Sequence, residues 1–473
     1  MKGNNTEIQK LSETVIKGGY CIGCGACASL DGSPFKIEMD EHLMFQARLN
    51  DKESKLPFSD VSVLSVCPFS NENLNENEIG KDLYGGDAVK DDKLGYVRAT
   101  YAGYVVEDSF REKGSSGGMG TWILTELFTR GLIDGVAHVH AVEPTERDSR
   151  LFKYHLSTTI EEIVNGAKSR YYPIEMSEVV KQIKEKPGKY AIVGLPCFIK
   201  AIRLLMLKDQ VLSERIKFCI GLVCGHLKSA HFANMWAWQV GIHPTTLIGI
   251  DFRTKLEGYG ANQYGITATG SVEGERISKV SPPLSKLFGA NWGWGLFKYK
   301  ACDYCDDVVA ETADVTIGDA WLPRYVRDSA GTNIIIIRNR VIQRILEDAE
   351  SLNRISMEHL SKKDIIASQS SGFAHRRESL SFRLFLADTK NKWRPQKRVE
   401  ASEELVNSKI KKRQELRIQL AEQSHILFNK AIGADSFQLF VRELQPLVTA
   451  YQKLYRLSLL QRLKITIKRK LKL

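Results

Sequence analysis

No stretch of this 473-residue chain is apolar for the roughly 20 residues that a membrane-spanning helix takes. The opening Met1-Lys2-Gly3-Asn4-Asn5-Thr6-Glu7 has none of the apolar core that a secretory signal needs. A cytoplasmic location is therefore expected, and there nine cysteines read as metal ligands rather than a disulfide framework. Internal repeats, Gly/Ser linkers and an obvious acid–base dyad are all missing. Disorder is excluded too, because 43% of residues are hydrophobic and the length suits two to four domains. Charge is unevenly spread along the chain. Residues 444–473 hold eight Lys or Arg and no Asp or Glu, which leaves +3 of the net charge of +11 to the rest. The basic character belongs to one tail, and no nucleic-acid partner is expected.

What the chain has is cysteine at telling intervals. Cys21-Ile22-Gly23-Cys24-Gly25-Ala26-Cys27 places three thiols at two-residue gaps, and Cys67-Pro68 follows forty residues later. Thiolates so spaced wrap one face of a 4Fe-4S cluster, with a remote Cys-Pro as the last ligand. Glycines at 23 and 25 let the loop turn tightly, so that backbone N–H groups can face sulfur. Zinc is the alternative, although a zinc knuckle pairs one C-x₂-C with a second pair or with histidines. A module this small has little core of its own, and the cluster must help to hold it together.

Residues 96–345 read as α/β. A strand over 99–106 leads into Gly114-Ser115-Ser116-Gly117-Gly118-Met119-Gly120, then an apolar-periodic helix, then a strand over 136–139. A glycine-serine loop at a helix N-terminus offers N–H groups to phosphate or to a flavin's anionic groups, though such turns also serve as plain connections. A second unit has a strand over 190–194, the turn Leu195-Pro196-Cys197, a helix over 198–207 and a strand over 216–223 ending at Cys224. Parallel pairing of these strands would put Cys197 and Cys224 at the carboxyl edge, where open α/β sheets bind ligands. Cys219 falls inside a strand and is expected to be a buried small hydrophobe.

Cys302-Asp303-Tyr304-Cys305 supplies a further pair, so Cys197, Cys224, Cys302 and Cys305 make one second site. A Cys₃His zinc site through Cys224, Cys302, Cys305 and His226 is the competing reading. His226 itself is expected to orient rather than react. Trp292 and Trp294 are expected to pack in the core. From 346 onward the chain turns helical and charged, without motif chemistry. Leu454, Leu457, Leu460, Leu463, Ile467 and Leu471 recur at three- and four-residue steps between Lys and Arg. That pattern suits an anionic membrane surface, a partner groove or a helix packed on its own domain.

Taken in order, these pieces resemble the family of coenzyme F420 hydrogenase and dehydrogenase beta subunits. The resemblance is carried by Cys21 to Cys27 with Cys67-Pro68, by Ser115-Ser116-Gly117-Gly118 with Gly131-Leu132-Ile133-Asp134-Gly135, and by Ala167-Lys168-Ser169-Arg170-Tyr171. Val193-Gly194-Leu195-Pro196-Cys197 and Cys302 to Cys305, leading into Ala313-Asp314 and Gly318-Asp319, complete it. It implies a flavoprotein with FAD beside two 4Fe-4S clusters, FAD lying near Ser115, Ser116, Gly117, Gly118, Lys168, Ser169, Arg170 and Gly194. Leu195 stands where the family commonly has threonine, and Lys168-Ser169-Arg170 stands for Gly-Ser-Lys. The expected fold mixes α+β and α/β: an N-terminal ferredoxin-like iron–sulfur module (1–95), a central α/β flavin-binding domain (96–345) and a C-terminal helical extension (346–473). The expected function is an oxidoreductase passing electrons between the clusters and an FAD-bound hydride-type substrate. Its partners would be a redox donor such as ferredoxin or a partner subunit. A membrane-associated glycan or lipid-linked pathway would suit the basic tail; an electron-relay subunit and a zinc-stabilised binding protein are the alternatives.

Overall fold

A computed structural model describes residues 4–50 and 62–455 of the chain. The basic amphipathic stretch from Leu457 to Leu471 lies outside the described residues. Two small antiparallel hairpins come first: β1 (Phe35–Met39) with β2 (Phe45–Leu49), and β3 (Val89–Asp91) with β4 (Gly95–Val97). The main sheet takes β5 (Ala99–Val105), β6 (Gly135–Ala141), β7 (Phe152–Ser157), β8 (Tyr190–Gly194) and β9 (Ile216–Leu222). A separate three-stranded antiparallel sheet holds β10 (Leu247–Thr254), β11 (Gly265–Val272) and β12 (Glu275–Val280). The main sheet is completed by β13 (Val315–Asp319), β14 (Asn333–Ile337) and β15 (Ile355–His359), in the order β15-β5-β14-β13-β9-β8-β6-β7.

Strands β13, β9, β8 and β6 run parallel, as the expected ligand-bearing edge requires. β14 runs against both β13 and β5, so β5 points the same way as the parallel set. The loops after β5, β8, β9 and β13 therefore open at one edge of the sheet. β14 is buried along its whole length, which its Asn-Ile-Ile-Ile-Ile sequence allows only between two neighbours and under covered faces.

The anticipated domain limits cut through elements. Position 95/96 falls within β4, and 345/346 within the helix Arg340–Ser351, beyond which β15 still adds to the main sheet. One apolar core runs through all three regions. It joins Ile8 and Phe35 to Ile202 and Trp236, and these to Leu416 and Phe440 of the C-terminal helices Ser408–Gly433 and Phe437–Lys453. In the polar run at 71–77, Asn75 caps the helix Glu76–Tyr84, and Glu76 is buried against Lys200 at 3.4 Å and Arg398 at 3.4 Å.

Candidate functional site

Cys21, Cys24, Cys27 and Cys67 line a single pocket with about 360 Å³ free of protein atoms. Apolar Leu11, Val15, Ile22, Ile37 and Phe69 form most of its remaining wall. The loop closes tightly because Gly23 and Gly25 both take positive φ, and a Cβ on Gly23 would lie 2.3 Å from Phe45. Backbone amides face the first sulfur: Gly23 N–H donates to Cys21 Sγ at 3.4 Å and Ala47 N–H at 3.3 Å. Burial, and then Cys21, Cys24 and Cys67, push the Cys27 thiol well up. Cys67 is pushed to about 12 by burial, partly offset by the Phe69 amide. Four uncrosslinked thiols that resist ionisation singly, ringed by amide donors, are suited to a group that takes them all as thiolates.

The second set forms where parallel pairing of the strands puts the sheet edge. Cys197 sits in the first turn of the helix Pro196–Met206 directly after β8, and Cys224 lies two residues past β9. Cys302 and Cys305 come from the short turn Lys300–Tyr304 and its cap. Burial raises Cys197, and then Cys305, Cys224 and Cys302 act on it. Tyr20, beside Cys21, packs edge-on at 4.9 Å against Tyr304, between Cys302 and Cys305, so the two sets are neighbours. Tyr154 lies under the influence of Cys197 and Cys24 together, its hydroxyl donating to the Val193 carbonyl at 2.8 Å. Cys219 is fully buried inside β9, as expected of a packed thiol.

Spacing and motif give no sign of the cations around this set. Arg376 is 1% exposed, and its guanidinium reaches the Cys224 and Gly225 carbonyls and lies 3.5 Å from Cys224 Sγ. The 346-onward region thus packs a buried arginine, on a helical segment that no spacing rule marks, against this set. Lys298 pairs with Asp303 at 2.5 Å and is pushed down to about 8 by burial. His226 is half-buried with its Nδ1 enclosed and unpartnered, its Nε2 3.3 Å from Arg417, and its ring faces Trp292 and His375. Trp294 is buried and Trp292 half-buried, with Lys228 Nζ 4.6 Å over the Trp292 ring.

The residues expected near a flavin converge beside the same edge. Ser169 N–H donates to Ser115 Oγ at 2.8 Å, and Ser116 Oγ donates to the Thr332 carbonyl at 3.0 Å. Lys168, held at φ +88°, pairs with Asp251 at 2.5 Å. Gly118 caps the helix Met119–Thr129 at φ +80°. Packing alone requires both loop glycines, since a Cβ would lie 2.7 Å from the Gly103 carbonyl oxygen at 117 and 2.7 Å from the Phe110 carbonyl at 118. Gly194 similarly packs against Phe198 and Ile199.

Arg170 and Arg253 each have a buried Nε without a partner. Arg253, another residue the motifs do not mark, pairs with Asp319 at 3.0 Å and donates to Tyr171 Oη at 3.3 Å. Lys255 is pushed down to about 8 by burial and by Lys168, Arg111 and Arg253. It lines an open groove of about 1030 Å³ with Tyr104, Arg111 and Ala330. Arg111 and Lys255 share that groove with Asp108, Glu112 and Glu257.

Residues 100–181 match the N-terminal part of the family described as coenzyme F420 hydrogenase/dehydrogenase, beta subunit, and residues 188–363 match its C-terminal part. The two segments together exceed half the chain. The chain belongs to this family. Its place in redox complexes gives the chain an oxidoreductase role. The matched segments contain every residue expected near the flavin and all four cysteines of the second set; the first set lies ahead of both. An uncharacterized protein of Methanocaldococcus jannaschii is 24% identical over 70% of this chain and 87% of its own length. One subunit of the F(420)H(2) dehydrogenase of Methanosarcina mazei is 24% identical over 46% of this chain and 56% of its own length. A chain of the F420-reducing [NiFe] hydrogenase complex from Methanosarcina barkeri aligns at a TM-score of 0.48 and 16% identity, over 64% of this chain and 98% of that one. Among the described residues, no helix is long and apolar enough to cross a membrane.

Proposed function

We propose that this member of the F420 hydrogenase/dehydrogenase beta subunits is an iron–sulfur flavoprotein oxidoreductase. It passes electrons between two 4Fe-4S clusters and an FAD that serves a hydride-type substrate. The observation that carries the reading is the adjacency of the two cysteine sets through the Tyr20–Tyr304 contact, with Ser115, Lys168, Ser169 and Arg170 gathered at the edge of the same sheet. When bound, clusters supply one-electron steps and FAD couples them to two-electron chemistry.

The chain's own residues then have definite tasks. Cys21, Cys24, Cys27 and Cys67 hold one cluster, and Cys197, Cys224, Cys302 and Cys305 the other. The Gly23 and Ala47 amides stabilise sulfur charge in the first, and the Arg376 guanidinium does so in the second. Tyr154 keeps its proton, because burial opposes its ionisation. The Arg170 and Lys255 cations attract the cofactor's anionic part, and the Tyr104–Arg111–Lys255 groove admits a substrate. Electrons arrive from a redox donor such as ferredoxin or from a partner subunit, and the relationship to one component of a dehydrogenase supports the latter.

Anaerobic purification followed by iron, sulfide and flavin analysis tests the reading. Eight irons and one FAD per chain are expected; a colourless zinc protein sinks it. Turnover of a soluble substrate with reduced ferredoxin separates an enzyme from a relay subunit.

A further inference from the structure

One edge of the main sheet carries a histidine cluster that the redox reading does not use. His138 and His140 stand two apart on β6 and so share a face. His155 pairs directly opposite His138 on β7, and Ser157 lies on the same face opposite Val136. The three inner atoms form a small triangle. His138 Nε2 lies 2.8 Å from Ser157 Oγ and 2.9 Å from His140 Nε2, and Ser157 Oγ lies 3.1 Å from His140 Nε2. No choice of tautomers supplies hydrogen bonds along all three sides, because each Nε2 either donates or accepts.

The ring geometry shows where the nitrogens aim. A straight N–H···N bond of this length would set the two ring centroids about 5.2 Å apart. They lie 4.5 Å apart with planes at 86°, so the rings converge on a point to one side. Two imidazoles bound at 2.0–2.1 Å to one ion, at a right angle, place their nitrogens about 3.0 Å and their centroids about 4.6 Å apart. We infer that His138, His140 and the Ser157 hydroxyl form one face of a binding site for a divalent transition-metal ion.

The surroundings agree with this. His138 is 5% exposed and Ser157 is fully buried. Gly166 covers the triangle: a Cβ there would lie 2.2 Å from His138 Cε1 and 2.7 Å from His140 Nε2, so only glycine leaves the space open. His155, its ring 4.8 Å from that of His140 and its Nε2 3.7 Å from Glu162, stands at the solvent side of the triangle. Among the described residues no three His, Cys, Asp or Glu side chains already share one ion-sized centre; the third corner here is a hydroxyl. Gly166 leads directly into Lys168, Ser169 and Arg170, so an ion tying β6 and β7 under Gly166 would brace that loop. The bracing role rests on the flavin reading; the site does not.

The test uses the full chain, purified anaerobically with its iron sites filled, desalted and titrated with Zn²⁺ against a chelating dye. One zinc equivalent is expected in the wild type, weakened at least tenfold in His140→Gln and blocked in Gly166→Ala, with iron content unchanged in both. Should His140→Gln fold poorly, Ser157→Ala serves, with a smaller loss. Co²⁺ in place of Zn²⁺ should give weak visible bands without thiolate charge transfer. No zinc uptake by the wild type, wild-type affinity in the variants, or a thiolate band overturns the site. Flavin analysis of the same sample keeps the two ideas apart, since a flavin-free chain with histidine-dependent zinc binding sinks only the redox reading.

Discussion

The two cysteine sets use the same ligand and place it in opposite electrostatic settings. The first sits in an apolar pocket where backbone amides of Gly23 and Ala47 are the donors to sulfur. The second sits among buried charges, with the Arg376 guanidinium on Cys224, the Lys298–Asp303 pair beside Cys302, and Asp306 and Asp307 next to Cys305. Net charge and hydrogen bonds to sulfur are the protein's means of setting cluster potential. The second set, with a guanidinium on its Cys224, should therefore hold the more easily reduced cluster, and electrons entering at the first set run downhill to the second and on toward the Ser115–Arg170 edge. The family match follows the same division: it covers the second set and omits the first.

The largest test removes one set at a time. Cys24→Ser should lose half the iron and keep the flavin, and Cys302→Ser should lose the other half; identical iron content to wild type in either variant breaks the assignment. Next is Arg376→Gln. It removes a charged donor from the Cys224 and Gly225 carbonyls, at a cost of about 2 kcal/mol in stability. In an EPR-monitored titration it should lower the potential of one cluster and leave the other in place. Equal shifts in both clusters would erase the contrast between the sets. Arg376→Lys keeps the charge and should recover most of the potential.

Much of this is legible in the chain because local spacing encodes it. C-x₂-C-x₂-C fixes three thiols on one loop. The turn Leu195-Pro196-Cys197 and the strand ending before Cys224 fix the sheet edge through ordinary parallel pairing. What escapes comes from long-range packing. Arg376 is 152 positions from Cys224, and nothing near it in sequence marks it as different from its neighbours. Arg253 looks like any alternating strand residue until β10 is seen against Tyr171 and Asp319. The glycine-serine loop reads as a source of N–H groups, yet Gly117 and Gly118 are fixed by contacts with Gly103 and Phe110 that only the fold supplies. The domain limits fail to coincide with elements for a similar reason. β15 and the C-terminal helices complete a sheet and a core begun far upstream.

A smaller effect should separate the flavin edge from both cysteine sets. Arg170→Ala takes away a buried cation with an unpartnered Nε that lies 5.3 Å over the Phe152 ring. Flavin content should fall several-fold with iron unchanged. Flavin retained at the wild-type level would remove Arg170 from the site.

The mildest test acts through the cover of the second set. The helix Ser408–Gly433 brings Arg417 onto His226 and buries His425 against Ser229 and His231. Burial lowers His231 to about 4, and burial with His231 and His42 lowers His425 to about 3. Unfolded, each titrates near pH 6.5, so between that value and the folded pKa the unfolded chain binds more protons. Their contribution is complete above pH 6.5 and declines as pH falls toward 4. At pH 5.5 each should have given up about 1 kcal/mol. Thermal unfolding followed at pH 7.5 and pH 5.5 should show this loss, and His425→Phe should remove part of it. Because this helix packs Arg417 on His226, two residues from Cys224, air bleaching at pH 5.5 should speed up for the second cluster first. Uniform bleaching of both clusters would mean that the C-terminal helix shields them alike.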